Sequence, residues 1–273
     1  MHRRPIRMNM KLNSVFIVLI GIHIIQGYGY GCSGTQPCLD DPNEQRPIST
    51  MINRMQDAAK RLHALECDVI YTFEQPLLES RTVQTGSLYY ACDERIDKLR
   101  IHFNTIKQDM YEARPNRQEY IFDGVWLTHI DFHLKNVRKQ QLAEPNRPIK
   151  TLELVKKHFP LIGFGALEAL ENEYQVSFAD DMKESNGCYH LHLIRKQQSN
   201  VSQEYANVEL WINPKTWLPD RIEALSVDEE LYIIDFIQMK INETLTSDRF
   251  DVTIPTNFGE PDIIPLPKET RAF

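Results

Sequence analysis

The chain has 273 residues, 42% hydrophobic and 10% aromatic, which is enough apolar side chain to bury a sizeable core in one large or two small domains and excludes a disordered protein. Its 31 Lys and Arg stand against 38 Asp and Glu, a net charge of −7. Residues 1–31 hold four Lys or Arg and no acid, so without them the balance is 27 against 38, or −11, a charge that disfavours nucleic acid or an anionic membrane surface as partner.

Arg3, Arg4, Arg7 and Lys11 precede an apolar run from Val15 to Ile25 and then small residues at Gly27, Gly29 and Gly31. This is the pattern of a secretory signal over residues 1–31, and the run is shorter than the roughly 20 residues that span a bilayer. The expected location is therefore the periplasm or outside the cell. Cys32, directly after the signal, is a candidate N-terminal lipid anchor, although Gly29 replaces the aliphatic residue a lipoprotein signal favours three places earlier. Residues 32–47, rich in Pro, Asp, Asn and Gln, read as a tether.

After the tether, Ser49 or Thr50 can cap a helix whose Met51, Met55, Ala58, Leu62 and Leu65 form one stripe opposite Arg54, Asp57 and Arg61. From Leu65 the period becomes two. Cys67, Val69, Tyr71 and Phe73 share a face, the pattern returns at Leu88, Tyr90 and Cys92, and again at Leu99, Ile101 and Phe103. Three such strands with short links predict an antiparallel meander. Cys67 and Cys92 are opposed if the hairpin between them turns at Glu79-Ser80, which makes them a candidate disulfide.

The stretch Tyr120-Ile121-Phe122-Asp123-Gly124-Val125-Trp126-Leu127 carries the strongest turn signal, Asp-Gly between two β-favouring runs. A two-residue turn pairs Phe122 with Val125, placing Tyr120, Phe122, Val125 and Leu127 on one face and Ile121 and Trp126 on the other. Both faces are apolar, so the sheet is covered on both sides or its concave side meets something greasy. A strand over Asn136 to Leu142 follows. Two short helices are predicted from Ile149, Leu152, Val155 and Phe159 and from Leu167, Leu170 and Tyr174. Strands resume at Tyr174 to Phe178, Tyr189 to Leu193, Val208 to Ile212, Leu218 to Leu225, Leu231 to Ile237 and Phe250 to Ile254, and residues 257–273 read as a flexible tail.

So many twisted strands must curl into a half-open barrel. Here the chain resembles the LolA-type periplasmic carriers of outer-membrane lipoproteins and their lipid-binding relatives. The likeness rests on the first helix leading to Phe73-Glu74-Gln75, on Gly86-Ser87-Leu88-Tyr89-Tyr90 and on Phe122-Asp123-Gly124-Val125-Trp126. It continues in the segment from Val208 through Trp211-Ile212-Asn213-Pro214-Lys215-Thr216-Trp217-Leu218-Pro219 to Arg221-Ile222, and in Asn242 before Phe250. It covers most of a domain over residues 48–256. The resemblance implies an incomplete, curled antiparallel β-barrel, mainly β with an N-terminal helix and short lid helices, enclosing the acyl chains of a lipoprotein or lipid. It further implies membrane-bound donor and acceptor proteins and a monomer.

The expected cavity is lined by Val69, Tyr71, Phe73, Leu88, Tyr90, Leu99, Ile101, Phe103, Phe122, Met55 and Leu62. With no Gly-x-Ser-x-Gly elbow and no His-Glu-x-x-His, the reading is non-enzymatic, with no cofactor and no metal. Two rivals stand beside it. Cys188, His190 and His192 alternate along one strand and would give a secreted metal-binding or hydrolytic protein if a fourth ligand joined them. An envelope-stress sensor domain of the same fold is the other.

Overall fold

The computed structural model describes residues 48–92, 96–149, 174–179, 187–196 and 205–266. The signal, the tether and most of the span given to the two middle helices lie outside these residues. Tyr174 begins a strand.

Among the described residues one helix, α1 (Ile48–Lys60), precedes twelve strands: β1 (Ala64–Gln75), β2 (Ser80–Cys92), β3 (Asp97–Gln108), β4 (Arg114–Phe122), β5 (Trp126–Asp131), β6 (Asn136–Gln141), β7 (Tyr174–Phe178), β8 (Tyr189–Arg195), β9 (Tyr205–Ile212), β10 (Pro219–Ser226), β11 (Leu231–Ile241) and β12 (Asp262–Ile264). They form one sheet in the order β12-β6-β5-β4-β3-β2-β1-β11-β10-β9-β8-β7. Every pairing is antiparallel except that of β12 with β6. The sheet is an incomplete barrel, with β12 and β7 at its edges.

The curl has local causes. Register shifts between Glu66 and Asp68, at Thr85/Gly86 and between Phe103 and Thr105 fall on neighbouring strands, and each such irregularity bends a strand and sharpens its twist. Gly86 lies where backbones meet: a Cβ there would stand 1.9 Å from the His102 carbonyl oxygen. Only glycine fits.

The even and odd faces of the strands divide as their alternation requires. The inner face, defined by α1 packing on it, gathers one continuous core from Leu65, Val69 and Tyr71 through Leu88, Ile101 and Phe122 to Leu191, Leu210, Ile222 and Ile234. The helix contributes Met51, Ile52, Met55 and Ala59. It ends at Lys60, so Leu62 and Leu65, read from sequence as its last stripe positions, instead belong to the exit turn and to β1, where both are still buried. Asn242 sets that exit: its Oδ1 accepts the N–H groups of His63 (2.9 Å) and Ala64 (3.2 Å), and its Nδ2 donates to the Arg61 carbonyl (2.9 Å). On the other side, Arg54 lies 4.8 Å over the Trp217 ring, which stacks on Tyr189.

Three sequence expectations are corrected. Cys67 and Cys92 are not bridged. The chain turns at Pro76–Leu78 rather than at Glu79-Ser80, so Gln75 pairs with Ser80 and Cys67 with Leu88. Cys92 then sits four residues further along β2, about 13 Å away, well beyond disulfide reach. In the Asp-Gly hairpin, Asp123 Oδ1 accepts the N–H groups of Val125 (3.0 Å) and Trp126 (2.7 Å), so the tip is Gly124-Val125 and Phe122 pairs with Leu127 instead of Val125. Tyr120, Phe122 and Leu127 still share the inner core, and Ile121 faces the other way.

The third correction concerns the C-terminus. Phe250 to Ile254 is not a strand of the sheet, and the residues after Pro255 are not all a loose tail. A 3₁₀ turn at Ser247–Phe250 leads into a strap whose Ile254 and Phe258 pack on a small outer-face cluster of Ile121, Ile130 and Val137, with Phe258 edge-on to Phe132 at 5.5 Å. Asp262–Ile264 then adds to β6, with Asp262 bonded to Arg138 at 3.3 Å. The two-sided apolar hairpin is thus covered on both faces by protein.

Candidate functional site

The structure brings the predicted lining residues together. Val69, Tyr71, Leu88, Tyr90, Leu99, Ile101, Phe103, Phe122, Met55 and Leu62 are buried in one cluster, and the half-buried Phe73 packs against it and lies 5.0 Å from Tyr232. Tyr71, Phe103 and Tyr120 form a run of rings with centroids 6.2 and 6.3 Å apart. The same cluster continues through Leu191, Val208, Leu210, Ile222 and Phe236, which the sequence reading did not include in the lining. Their period-two spacing in β8 to β11 was the signal.

It also missed polar groups on the same face. Gln84, Gln118, His129 and Asp131 share parity with Leu88, Phe122 and Leu127, and their strand registers place them toward the β1–β2 and β3–β4 turns. Gln118 Nε2 donates to Asp131 Oδ2 at 3.2 Å, and its Oε1 accepts from Tyr120 at 3.4 Å. Asp131 Oδ1 further accepts the N–H groups of His133 and Leu134. His129 stacks on Tyr120 at 4.3 Å, nearly parallel, and burial holds its pKa down at about 4, so it is neutral at physiological pH. Burial likewise raises the Cys67 thiol to about 12, which makes it an inert core residue rather than a nucleophile.

Cys188, His190 and His192 lie on the opposite side of β8 from Leu191 and Leu193. Glu209 bridges the two histidines, with His190 Nε2 at 2.8 Å and His192 Nε2 at 3.3 Å, while Cys188 Sγ donates to Asp220 at 3.5 Å. His190 stacks on Trp211 at 4.1 Å, and Trp211 in turn lies under Arg221, which pairs with Glu223 and Asp235. Among the described residues no three His, Cys, Asp or Glu side chains are placed to hold a metal ion. The row is a hydrogen-bonded outer face beside the Arg221 ion pairs.

The outer face further along is also ion-paired. Glu119, 1% exposed, accepts from Arg100 at 2.8 Å and Arg117 at 2.7 Å, and Arg100 donates to the Arg249 carbonyl of the strap at 2.8 Å. At the rim formed by successive hairpin tips, Leu77, Leu78, Met110, Tyr111 and Leu134 are exposed. Among the described residues no helix is long and apolar enough to cross a membrane.

No protein family and no curated protein matches the sequence. Solved structures do. The Pseudomonas aeruginosa MucA/MucB complex matches at 16% identity with a TM-score of 0.44, covering 75% of this chain and 60% of that one. An uncharacterised conserved protein from Thermus thermophilus matches at 10% identity and a TM-score of 0.46, over 80% of this chain and 98% of that one. A putative outer membrane lipoprotein-sorting protein domain from Vibrio parahaemolyticus matches at 12% identity and a TM-score of 0.35, over 73% and 95%. The chain spans about three fifths of the MucB chains it matches.

Proposed function

We propose that this protein is an exported, non-enzymatic carrier or binding protein that shields the acyl chain of a lipid or lipoprotein between the curled sheet and α1. The observation that carries this reading is the inner face itself: a continuous aromatic and aliphatic surface on an unclosed sheet, covered among the described residues by one helix whose deepest contacts are Met51 and Met55. Methionine adapts to irregular apolar neighbours. Each acyl methylene moved from water to such a surface gains about 0.8 kcal/mol, so tight binding needs few polar contacts. The lining residues are Val69, Tyr71, Phe73, Leu88, Tyr90, Leu99, Ile101, Phe103 and Phe122, with Met55 and Leu62 as the covering side. The exposed hairpin tips supply contact with a membrane-bound donor or acceptor protein, in the periplasm.

A fluorescent fatty-acyl probe tests this. The protein should bind the probe and leave ester probes uncleaved. Phe103→Asp should abolish binding, whereas His190→Ala, on the outer face, should leave it unchanged. Loss of an activity or of a stoichiometric metal in His190→Ala, with no effect of Phe103→Asp, would overturn the carrier reading in favour of the outer row.

A further inference from the structure

Among the described residues, Gln84 is the one inner-face amide of the sheet that the fold leaves unanswered. It stands on β2 between Tyr71 of β1 and Ile106 of β3, its side chain is 0% exposed, and neither its Nε2 nor its Oε1 has a hydrogen-bond partner. Gln118, two strands away, shows that the same face can satisfy an amide, through Asp131 and Tyr120. A buried amide with an unmet donor and an unmet acceptor is destabilising, and such a group in a native core calls for a specific explanation.

Its surroundings define what would satisfy it. Gln84 lies toward the turn end of the inner face, and the surface that runs from it past Leu88, Tyr90, Leu99 and Ile101 is apolar. Among the described residues no Lys or Arg is buried: Arg114, level with Ile106 and Gln84, is exposed and reaches Gln108, Arg138 opposite His129 is half exposed and paired with Asp262, and the remaining inner base and acid toward the same turns are the neutral His129 and the hydrogen-bonded carboxylate Asp131. A carboxylate or phosphate head would find no buried counter-charge there. A carboxamide offers one C=O to the Gln84 N–H and one N–H to the Gln84 carbonyl.

We infer that Gln84 is a head-group recognition residue, selecting acyl chains linked through a neutral amide, with the chain lying along the apolar surface. This rests on the acyl-binding reading above and names its ligand class. The occupied form requires α1 to shift, because the inner face is closed in this structure.

The full exported chain is titrated with dodecanamide, methyl dodecanoate and dodecanoate, each displacing the same fluorescent acyl probe at neutral pH. The natural protein should bind the amide about tenfold more tightly than the ester, which lacks a donor, and prefer the ester to the anion. Gln84→Leu should keep ester binding and lose the amide preference, and its thermal midpoint should not fall, since an unpartnered polar group has been removed. Gln84→Met serves as the decisive variant if Leu does not fold. An undiminished amide preference in either folded variant, or no preference in the natural protein, overturns the inference while leaving acyl binding intact. Failure of all three ligands to displace the probe removes the acyl-binding reading itself.

Discussion

The inner and outer faces of this sheet come from the same strands, one residue out of phase, and they are held by different physics. Inside, apolar side chains from α1 and ten strands merge into one core with a few embedded polar groups. Outside, three apolar residues, Ile121, Ile130 and Val137, sit beside the Arg100–Glu119–Arg117 cluster and are closed by a strap of the same chain. The outer face is finished: its apolar patch already has its cover. Among the described residues the inner face is covered by one helix secured by two methionines, by Arg54 on Trp217 and by the Asn242 exit turn. Under the proposed function the face that opens is the inner one.

If packing alone holds the inner face, Phe122→Ala should be the most damaging single change, costing about 3–5 kcal/mol in urea unfolding with little dependence on salt. A loss below about 1 kcal/mol would mean the inner core is loosely packed. The embedded polar groups give the inner face a second signature. His129, faced by Asp131 and Arg138, has a folded pKa of about 4 against an ordinary 6.5, so the unfolded chain takes up the proton first as pH falls. Its contribution is complete above pH 6.5 and is lost progressively toward pH 4, by at most about 3 kcal/mol. His129→Phe, which keeps the stack on Tyr120, should flatten stability across that window.

The outer face should respond differently. Glu119→Gln leaves Arg100 and Arg117 without their carboxylate and should cost about 2 kcal/mol, less than a fully buried pair because Arg117 is half exposed. Phe258→Ala should cost about 1 kcal/mol and release the strap, read as faster proteolysis near residue 250 with acyl binding unchanged. Lost acyl binding in that variant would mean the two faces are coupled.

Sequence periodicity revealed the inner parity of β1, β2 and β3, because strict alternation is imposed by the pleat. What it did not reveal were quantities fixed by turns and distant contacts. The Cys67–Cys92 register depended on a loop built on Pro76, and the Asp123 hairpin was shifted by hydrogen bonds of its own carboxylate. The strap escaped notice because the alternation of Phe250, Val252 and Ile254 reads as a strand, Phe258 lies in a Pro- and Gly-punctuated segment with no period, and the cluster that Ile254 and Phe258 dock on belongs to strands far earlier in the chain. Gln84 was legible by parity with Leu88, yet nothing in sequence says that its amide lacks a partner.

Under the proposed function an acyl chain enters by displacing α1 from the inner face. Hydrogen exchange of residues 48–60, measured on the full chain with and without dodecanamide, tests it most directly. Displacement predicts strong protection at Met51 and Met55 in the free protein and a clear change in their exchange on binding, with β3 and β4 unaltered. Equal, strong protection of α1 in both states, with the ligand shown to be bound, would contradict it.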